Sequence, residues 1–357
     1  MSPGAILHVL AIYAGALVFG VIGEWLRLPL PWLIGAMVFA TGLRMMDLPV
    51  RVPWMTRPVG QLLVAASVGL AFTPDAVAAV AQLIVPIVAA AVLTVAAGFL
   101  TALVLVRLSG VGAMQAVLSS VPLGPVEAAN LANRHGVRPA EVVFGQTLRI
   151  VALVLIIPPL MVAMDGSIQD PSQVLRATPW TPGGALLLVM AAAAGGVLAR
   201  KLRISNPFFV GALAGAAGTA ALSLPVTALP FPLLVTAQVF LGVWLGAVFD
   251  RRMLRETGAF IPAAFLCTGL MMVLCAVLGL ALAWMTGLPW EVMILATAPG
   301  SVTEMALTAK ILQDGVAVVV AFHLVRIFMI MPFAPQIAKL AARVSGHHGP
   351  PGGDAAP

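Results

Sequence analysis

The sequence predicts an all-α polytopic membrane protein of two inverted-topology repeats, each with about five transmembrane helices plus one re-entrant or broken helix. Three observations predict it. Of 357 residues, 61% are hydrophobic and 9% are charged, whereas a soluble domain carries about 25% charged residues. So few charges cannot cover a soluble surface of this size, and lipid must serve as the solvent. The same pattern of residues occurs twice along the chain. Corresponding loops of the two copies carry opposite charge bias.

The helical part of the reading rests on apolar runs that are long and do not alternate, which excludes transmembrane strands. The 28 Pro and 34 Gly argue against uniform straight helices. The repeat rests on residues that apolar composition alone would not align. At an offset of 176, Gly20 matches Gly196, Pro31 matches Pro207, Gly35-Ala36 matches Gly211-Ala212, Gly42 matches Gly218, and Leu48-Pro49-Val50 matches Leu224-Pro225-Val226. At an offset of 177, Gln61 matches Gln238, Gly69 matches Gly246, Phe72 matches Phe249, Gly110 matches Gly287, Pro122 matches Pro299, Glu127 matches Glu304, Arg149-Ile150 matches Arg326-Ile327, and Pro158 matches Pro335. A single-residue gap reconciles the offsets. Residues 1–165 form the first repeat, 166–182 a linker, 183–344 the second repeat and 345–357 a disordered tail.

Each repeat has six apolar elements. In the first they are Ala5–Trp25, Leu30–Met45, Val59–Phe72, Val77–Val106, Val111–Arg134 and Pro139–Met164; in the second, Gly183–Arg200, Pro207–Leu222, Leu233–Phe249, Ala259–Met285, Pro289–Lys310 and Val316–Leu340. The first element has no basic region before it and no convincing cleavage site after it, so it reads as a retained helix. The fifth element of each repeat is interrupted, by Val121-Pro122-Leu123-Gly124-Pro125 in one and Ala298-Pro299-Gly300-Ser301 in the other. Pro and Gly together break the hydrogen-bond ladder there.

Charge sets the topology. Arg44, Arg51 and Arg57 fall between elements two and three of the first repeat, where the second has no Lys or Arg. Arg251, Arg252 and Arg255 fall between elements three and four of the second, where the first has only Asp75. By the positive-inside rule the repeats are inverted. Inversion needs an odd number of crossings per repeat, and a fifth element that enters and leaves on one side supplies it. With the N-terminus inside, fourteen of the 19 Lys and Arg are cytoplasmic, three are outside (Arg27, Arg176, Lys310) and two, Arg149 and Arg326, lie within spans. A broken helix that crosses fully is the alternative.

Paired interruptions at matching positions of inverted repeats point to a transport site. Each arm is about ten residues, or roughly 15 Å, and reaches about the bilayer midplane. A helix restarts after each break. Ser301-Val302-Thr303-Glu304 fits a capping box; Gly124, Pro125 and Glu127 take the cap, first and third positions in the first repeat. Pro122, Gly124, Pro299, Gly300, Ser301, Arg149 and Arg326 are the substrate-binding candidates, because helix starts and guanidiniums favour an anion. Glu127, Glu304 and His323 are the ion-coupling candidates. For the glutamates the competing role is capping alone. For the arginines it is an ion pair or a backbone clamp holding the repeats together. Gln146 and His323 occupy matching positions three residues before each Arg, on the same helix face. Gln61 and Gln238 are candidates for hydrogen bonds between helices.

Other readings are excluded or set aside. A pI near 10.3 comes from short basic clusters between apolar runs, so no nucleic acid is expected as a partner. Cys267 and Cys275 share one apolar run and read as inert thiols. His347 and His348 in the tail read as solvated. No metal-ligand set, cofactor site or phosphate-binding loop is visible, so neither an enzyme nor ATP-driven transport is expected.

The segment Pro299-Gly300-Ser301-Val302-Thr303-Glu304-Met305, followed by Val325-Arg326-Ile327 and Pro335, resembles the bacterial membrane AbrB-duplication family. Pro122-Leu123-Gly124-Pro125-Val126-Glu127 and Leu148-Arg149-Ile150 are the first-repeat cognates, departing at Leu123 where the second repeat has Gly300. The resemblance covers roughly residues 10–342. It implies a multi-pass protein of the bacterial inner membrane, in a family whose members carry labels of ammonia monooxygenase or regulator of gene expression. His8, His135 and His323 are scattered and supply no oxygenase metal site. The expected function is secondary transport of a small, anionic solute by alternating access around the helix breaks. The alternative is a membrane sensor that influences gene expression indirectly. The expected partners are the lipid bilayer and a small-molecule solute, and a homo-oligomer is compatible with both functions.

Overall fold

The computed structural model describes residues 3–165, 176–249, 251, 258, 260–312 and 315–344. Arg252, Arg255, positions 166–175 of the linker and the tail from Ser345 lie outside the described residues. The described regular structure is helical: α1 (Pro3–Trp25), α2 (Pro31–Met45), α3 (Thr56–Gly69), α4 (Pro74–Gln82), α5 (Ile84–Ser109), α6 (Ala113–Ser120), α7 (Pro125–Arg134), α8 (Pro139–Asp165), α9 (Pro182–Lys201), α10 (Pro207–Ala221), α11 (Phe231–Gly246), α12 (Phe260–Thr286), α13 (Trp290–Thr297), α14 (Val302–Leu312) and α15 (Val316–Val344).

Among the described residues five helices are long and apolar enough to cross a membrane: Gly4–Trp25, Ile84–Ser109, Pro139–Met161, Pro182–Lys201 and Phe260–Thr286. Shorter apolar helices, such as Pro31–Met45 and Pro207–Ala221, pack between them. The exposed faces are apolar: Leu7, Leu10 and Val18 on α1, Val92 and Leu103 on α5, Phe265, Leu266 and Val277 on α12. Water would penalise such faces at roughly 25 cal/mol per Å², and lipid does not. Trp25, Trp54, Trp180 and Trp284 stand exposed at or near helix ends, where the headgroup layer suits an amphipathic ring. The chain is an all-α, multi-pass membrane protein.

The helices pack as two bodies. A frame consists of α1, α2, α3, α9, α10 and α11; a second body consists of α5 to α8 and α12 to α15. Frame helices approach at backbone distance because their interfaces carry small residues. A Cβ on Gly195 would collide with the Gly211 carbonyl on α10, and one on Gly246 with the Met37 carbonyl on α2. The bodies meet where α3 touches α14 and α15, and where α4 touches α10.

Backbone detail recurs at the spacing of the sequence repeat. Left-handed residues occur at Arg27 (φ 55°) and Arg203 (φ 57°), Leu30 (φ 53°) and Asn206 (φ 52°), Asp47 (φ 58°) and Ser223 (φ 53°), each pair 176 residues apart. Arg27 and Arg203 close Schellman caps, with Leu28 N–H donating to Gly23 O and Ile204 N–H to Ala199 O. Gly69 packs on Ala216, and Gly246 packs on Ala40.

Side contacts sort the helix ends. At one end His8 meets the Pro49 carbonyl at 2.7 Å, Arg251 pairs with Asp47 at 3.5 Å, and Phe144 lies edge-on to Phe249. At the other, Arg176 pairs with Glu24 at 2.7 Å and Thr181 bonds Thr227. Leu105, Met114, Leu131, Val142 and Phe260 share one core. Val292, Met293, Ala309 and Val319 share another, where Gly315 abuts Val292.

Two boundaries differ from the sequence reading. Arg57 belongs to α3, not to a loop, because the helix begins at Thr56. The run Val77–Val106 is divided at Leu83 (φ −94°, ψ 10°) into α4 and α5. Pro86 lies in the first turn of α5, where a missing N–H costs nothing, and α3 and α4 meet at 92°.

Candidate functional site

Each interrupted helix leaves unpaired carbonyls at its first arm and unpaired N–H groups at its second. In a membrane interior every such group costs several kcal/mol, and α8 and α15 supply donors. On α8, Gln146 Nε2 donates to Leu118 O at 2.6 Å and Val121 O at 2.7 Å. Arg149 donates to Ser120 O at 2.6 Å and to Gln146 Oε1 at 2.6 Å. On α15, Arg326 donates to Ala298 O at 2.7 Å and Gly300 O at 2.7 Å. It also reaches His323 Nδ1 at 2.7 Å, while His323 Nε2 meets Leu295 O at 3.0 Å. A guanidinium only donates, so Nδ1 accepts and Nε2 carries the proton. The arginines thus clamp the carbonyl ends of α6 and α13, where the helix dipole is negative.

The second arms start oppositely. Gly124 caps α7 at φ 93°, and Glu127 takes the third position. Ser301 caps α14, its Oγ accepting from Thr303 N–H at 3.3 Å, and Glu304 takes the third position. Both carboxylates lie at positive dipole ends. Ser205 donates to Glu127 at 3.2 Å. Glu304 is 5% exposed, and its Oε2 has no hydrogen-bond partner. Nor does Nε of Arg149, a residue 4% exposed.

One cavity of about 90 Å³ gathers these groups. Pro122, Gly124, Glu127 and Arg149 line it from one hairpin, and Pro299, Gly300, Ser301, Glu304 and Arg326 from the other. His323 is fully buried behind the wall, in the Arg326 clamp. The frame contributes Arg57 and Gln61 from the start of α3, Ser205 and Asn206 from the α9–α10 turn, and Leu241 and Trp244 from the end of α11. The ion-pair alternative for Arg149 and Arg326 is replaced by the backbone clamp: neither makes an ion pair among the described residues. Gln238 is buried in the frame with its Oε1 unpartnered.

Of the frame-side wall the sequence singles out only Gln61, and for hydrogen bonds between helices rather than for the site. Arg57 reads in the sequence as a loop cation. Asn206-Pro207 carried the signal of a helix start, but nothing local indicated that the turn faces Glu127.

A family model described as transition state regulatory protein AbrB matches residues 32–342. Over 319 residues, 88% of this chain and 90% of the relative, the chain is 23% identical to the putative regulator AbrB of Escherichia coli (strain K12). Over 274 residues, 71% of this chain and 70% of the relative, it is 24% identical to the uncharacterized protein YhjN of Bacillus subtilis (strain 168). The family match runs from α2 into α15 and takes in both hairpins and both clamps, and the chain belongs to the AbrB family.

Proposed function

We propose that the protein is a secondary transporter of a small anionic solute in the bacterial inner membrane, working by alternating access between the frame and the hairpin body. In this reading the chain is an inverted duplication. The α6–α7 and α13–α14 segments are re-entrant hairpins that enter from opposite faces and meet near the midplane. The observation that carries it is the single cavity at the seam, holding both hairpin tips, both clamps and both glutamates.

The position of the cavity supports the direction. Its frame-side residues all come from one end: the start of α3, the α9–α10 turn and the end of α11. Basic residues concentrate at that end, which the positive-inside rule makes cytoplasmic. At the other end α14 packs on α3, and Lys310 Nζ donates to Ser67 O at 3.1 Å and to Ser67 Oγ. That is an inward-open, outward-closed arrangement. Glu127 and Glu304 carry the coupling proton or cation; His323, with both nitrogens engaged, positions Arg326.

Protein reconstituted into vesicles and challenged with solutes that raise its thermal stability tests the reading. Counterflow of a stabilising solute is expected, absent from empty vesicles. Specific binding without flux would replace transport by sensing, which is compatible with the name of regulator that the Escherichia coli relative carries.

A further inference from the structure

The charge of the cavity does not balance, and the remainder has a location. Arg149 and Arg326 sit on the negative ends of α6 and α13 and are met by carbonyls. Glu127 and Glu304 sit on the positive ends of α7 and α14. Each helix end is equivalent to roughly half a charge, so the two hairpins come out close to neutral. Arg57 is left over in this count, although Glu127 and Glu304 are the carboxylates that act on it across the cavity. It makes no ion pair within contact distance among the described residues. Its guanidinium lies over the Trp244 ring, 4.3 Å from the centroid, a cation–π contact that does not use the N–H donors. Two of the buried polar atoms without a hydrogen-bond partner, Nε of Arg149 and Oε2 of Glu304, belong to side chains that line this cavity.

We propose that this cavity binds a small monovalent carboxylate, held between the hairpin tips and read from the frame by the forked edge of Arg57 against Trp244. One excess positive charge calls for one negative charge. A volume of about 90 Å³ admits a solute of a few non-hydrogen atoms. A guanidinium over an aromatic face keeps two parallel donors for a ligand, and these match a carboxylate. Because Arg57 is on the frame and the tips are on the other body, the anion bridges the two parts that alternating access moves against each other. The proposal rests on the reading of the cavity as a solute site, but binding is measurable without movement.

Purified full-length protein would be titrated with sodium formate, acetate and lactate, and with sodium chloride and choline chloride, at constant ionic strength. Thermal shift and calorimetry are the readouts. Saturable binding of at least one carboxylate is expected, weakened about ten- to a hundredfold in Arg57→Gln, the equivalent of one charge-assisted bond. Arg57→Lys keeps the charge and loses the fork, and a weakening of about tenfold is expected. If Arg57→Gln does not fold, Arg57→Lys decides alone, and wild-type affinity in it overturns the proposal. Absence of saturable carboxylate binding, a response to sodium without regard to the anion, or unchanged affinity in Arg57→Gln would also overturn it. Carboxylate binding with no flux in vesicles leaves this site standing and removes transport.

Discussion

The two hairpins share a plan but not a setting. The second arm of the later hairpin, α14, buries nine of its eleven residues, and Val302, Ala306, Leu307 and Ile311 join the frame's core. The corresponding arm α7 buries Pro125, Ala128, Leu131 and Ala132 and leaves Val126 exposed. α14 touches α3 and is tied to it through Lys310 and Ser67. α7 reaches the frame through Ser205 and Glu127. Matching sequence therefore fixes the internal geometry of a hairpin, its clamp and cap, while contact with the frame is a separate variable. One hairpin is shut against the frame and the other stands off it.

The largest expected effect tests the shared plan. Arg326→Ala leaves Ala298 O and Gly300 O without their donor and should destabilise the protein by about 3 kcal/mol or more. Arg149→Ala removes one carbonyl contact and its bond to Gln146, and Gln146 still holds α6, so a smaller loss is expected. Melting temperatures in detergent would compare them, and an intact melting temperature in Arg326→Ala would remove the clamp from the account.

Next come the tips. Gly124 has φ 93°, and a Cβ there would lie 2.8 Å from Glu127 Oε2. Gly124→Ala should cost about 1–3 kcal/mol. At Gly300 no left-handed backbone is required, and a Cβ meets the flexible end of Leu153 at 3.1 Å. Gly300→Ala should cost under about 1 kcal/mol. Equal costs in chemical denaturation would mean that the tips are alike after all.

The latch should matter more to movement than to folding. Lys310→Met should change stability by under about 1 kcal/mol yet raise labelling of a cysteine at Ser301 from the side opposite the cavity mouth. A disulfide between cysteines introduced at Ser67 and Lys310 should abolish flux reversibly. Unchanged labelling would disconnect the α14–α3 contact from access.

The smallest structural effect belongs to the carboxylates. Glu304→Gln keeps a side chain able to cap α14, and the melting temperature should barely move. The pH profile of flux should flatten in Glu304→Gln and more fully in the double variant with Glu127→Gln. A wild-type profile in the double variant would assign the glutamates to capping alone.

Much of the hairpin chemistry was legible because it repeats residue types that are costly in lipid. Glu, Arg, Pro and Gly in matching order mark broken helices and their clamps, and the structure brings the residues so marked, His323 excepted, to one cavity. The frame-side wall was not legible. Arg57 is one of several arginines between spans, and only the packing of α3 against α11 puts it over Trp244. Lys310 and Ser67 are 243 positions apart in the chain, and no periodicity connects them. The start of α4 had a signal in Thr73-Pro74 and the division at Leu83 one in Gln82 and Pro86, masked by the apolar residues on both sides; Thr73 Oγ1 in fact caps α4, accepting from Ala76 N–H at 3.3 Å.

The right-angle corner between α3 and α4 has a mechanical consequence. α4 has nine residues and none is fully buried, so it is a short rod of roughly 14 Å that touches α10 and α15 and rests Val80 on the edge of a core. It is the covalent link from α3 in the frame to α5 in the other body. A rigid connecting rod jointed at each end permits swinging and forbids separation. The distance between the two bodies at that end is bounded by the rod's own length, about half the thickness of the hydrocarbon layer. Lengthening α4 by one helical turn would reset that distance without touching a residue that lines the cavity.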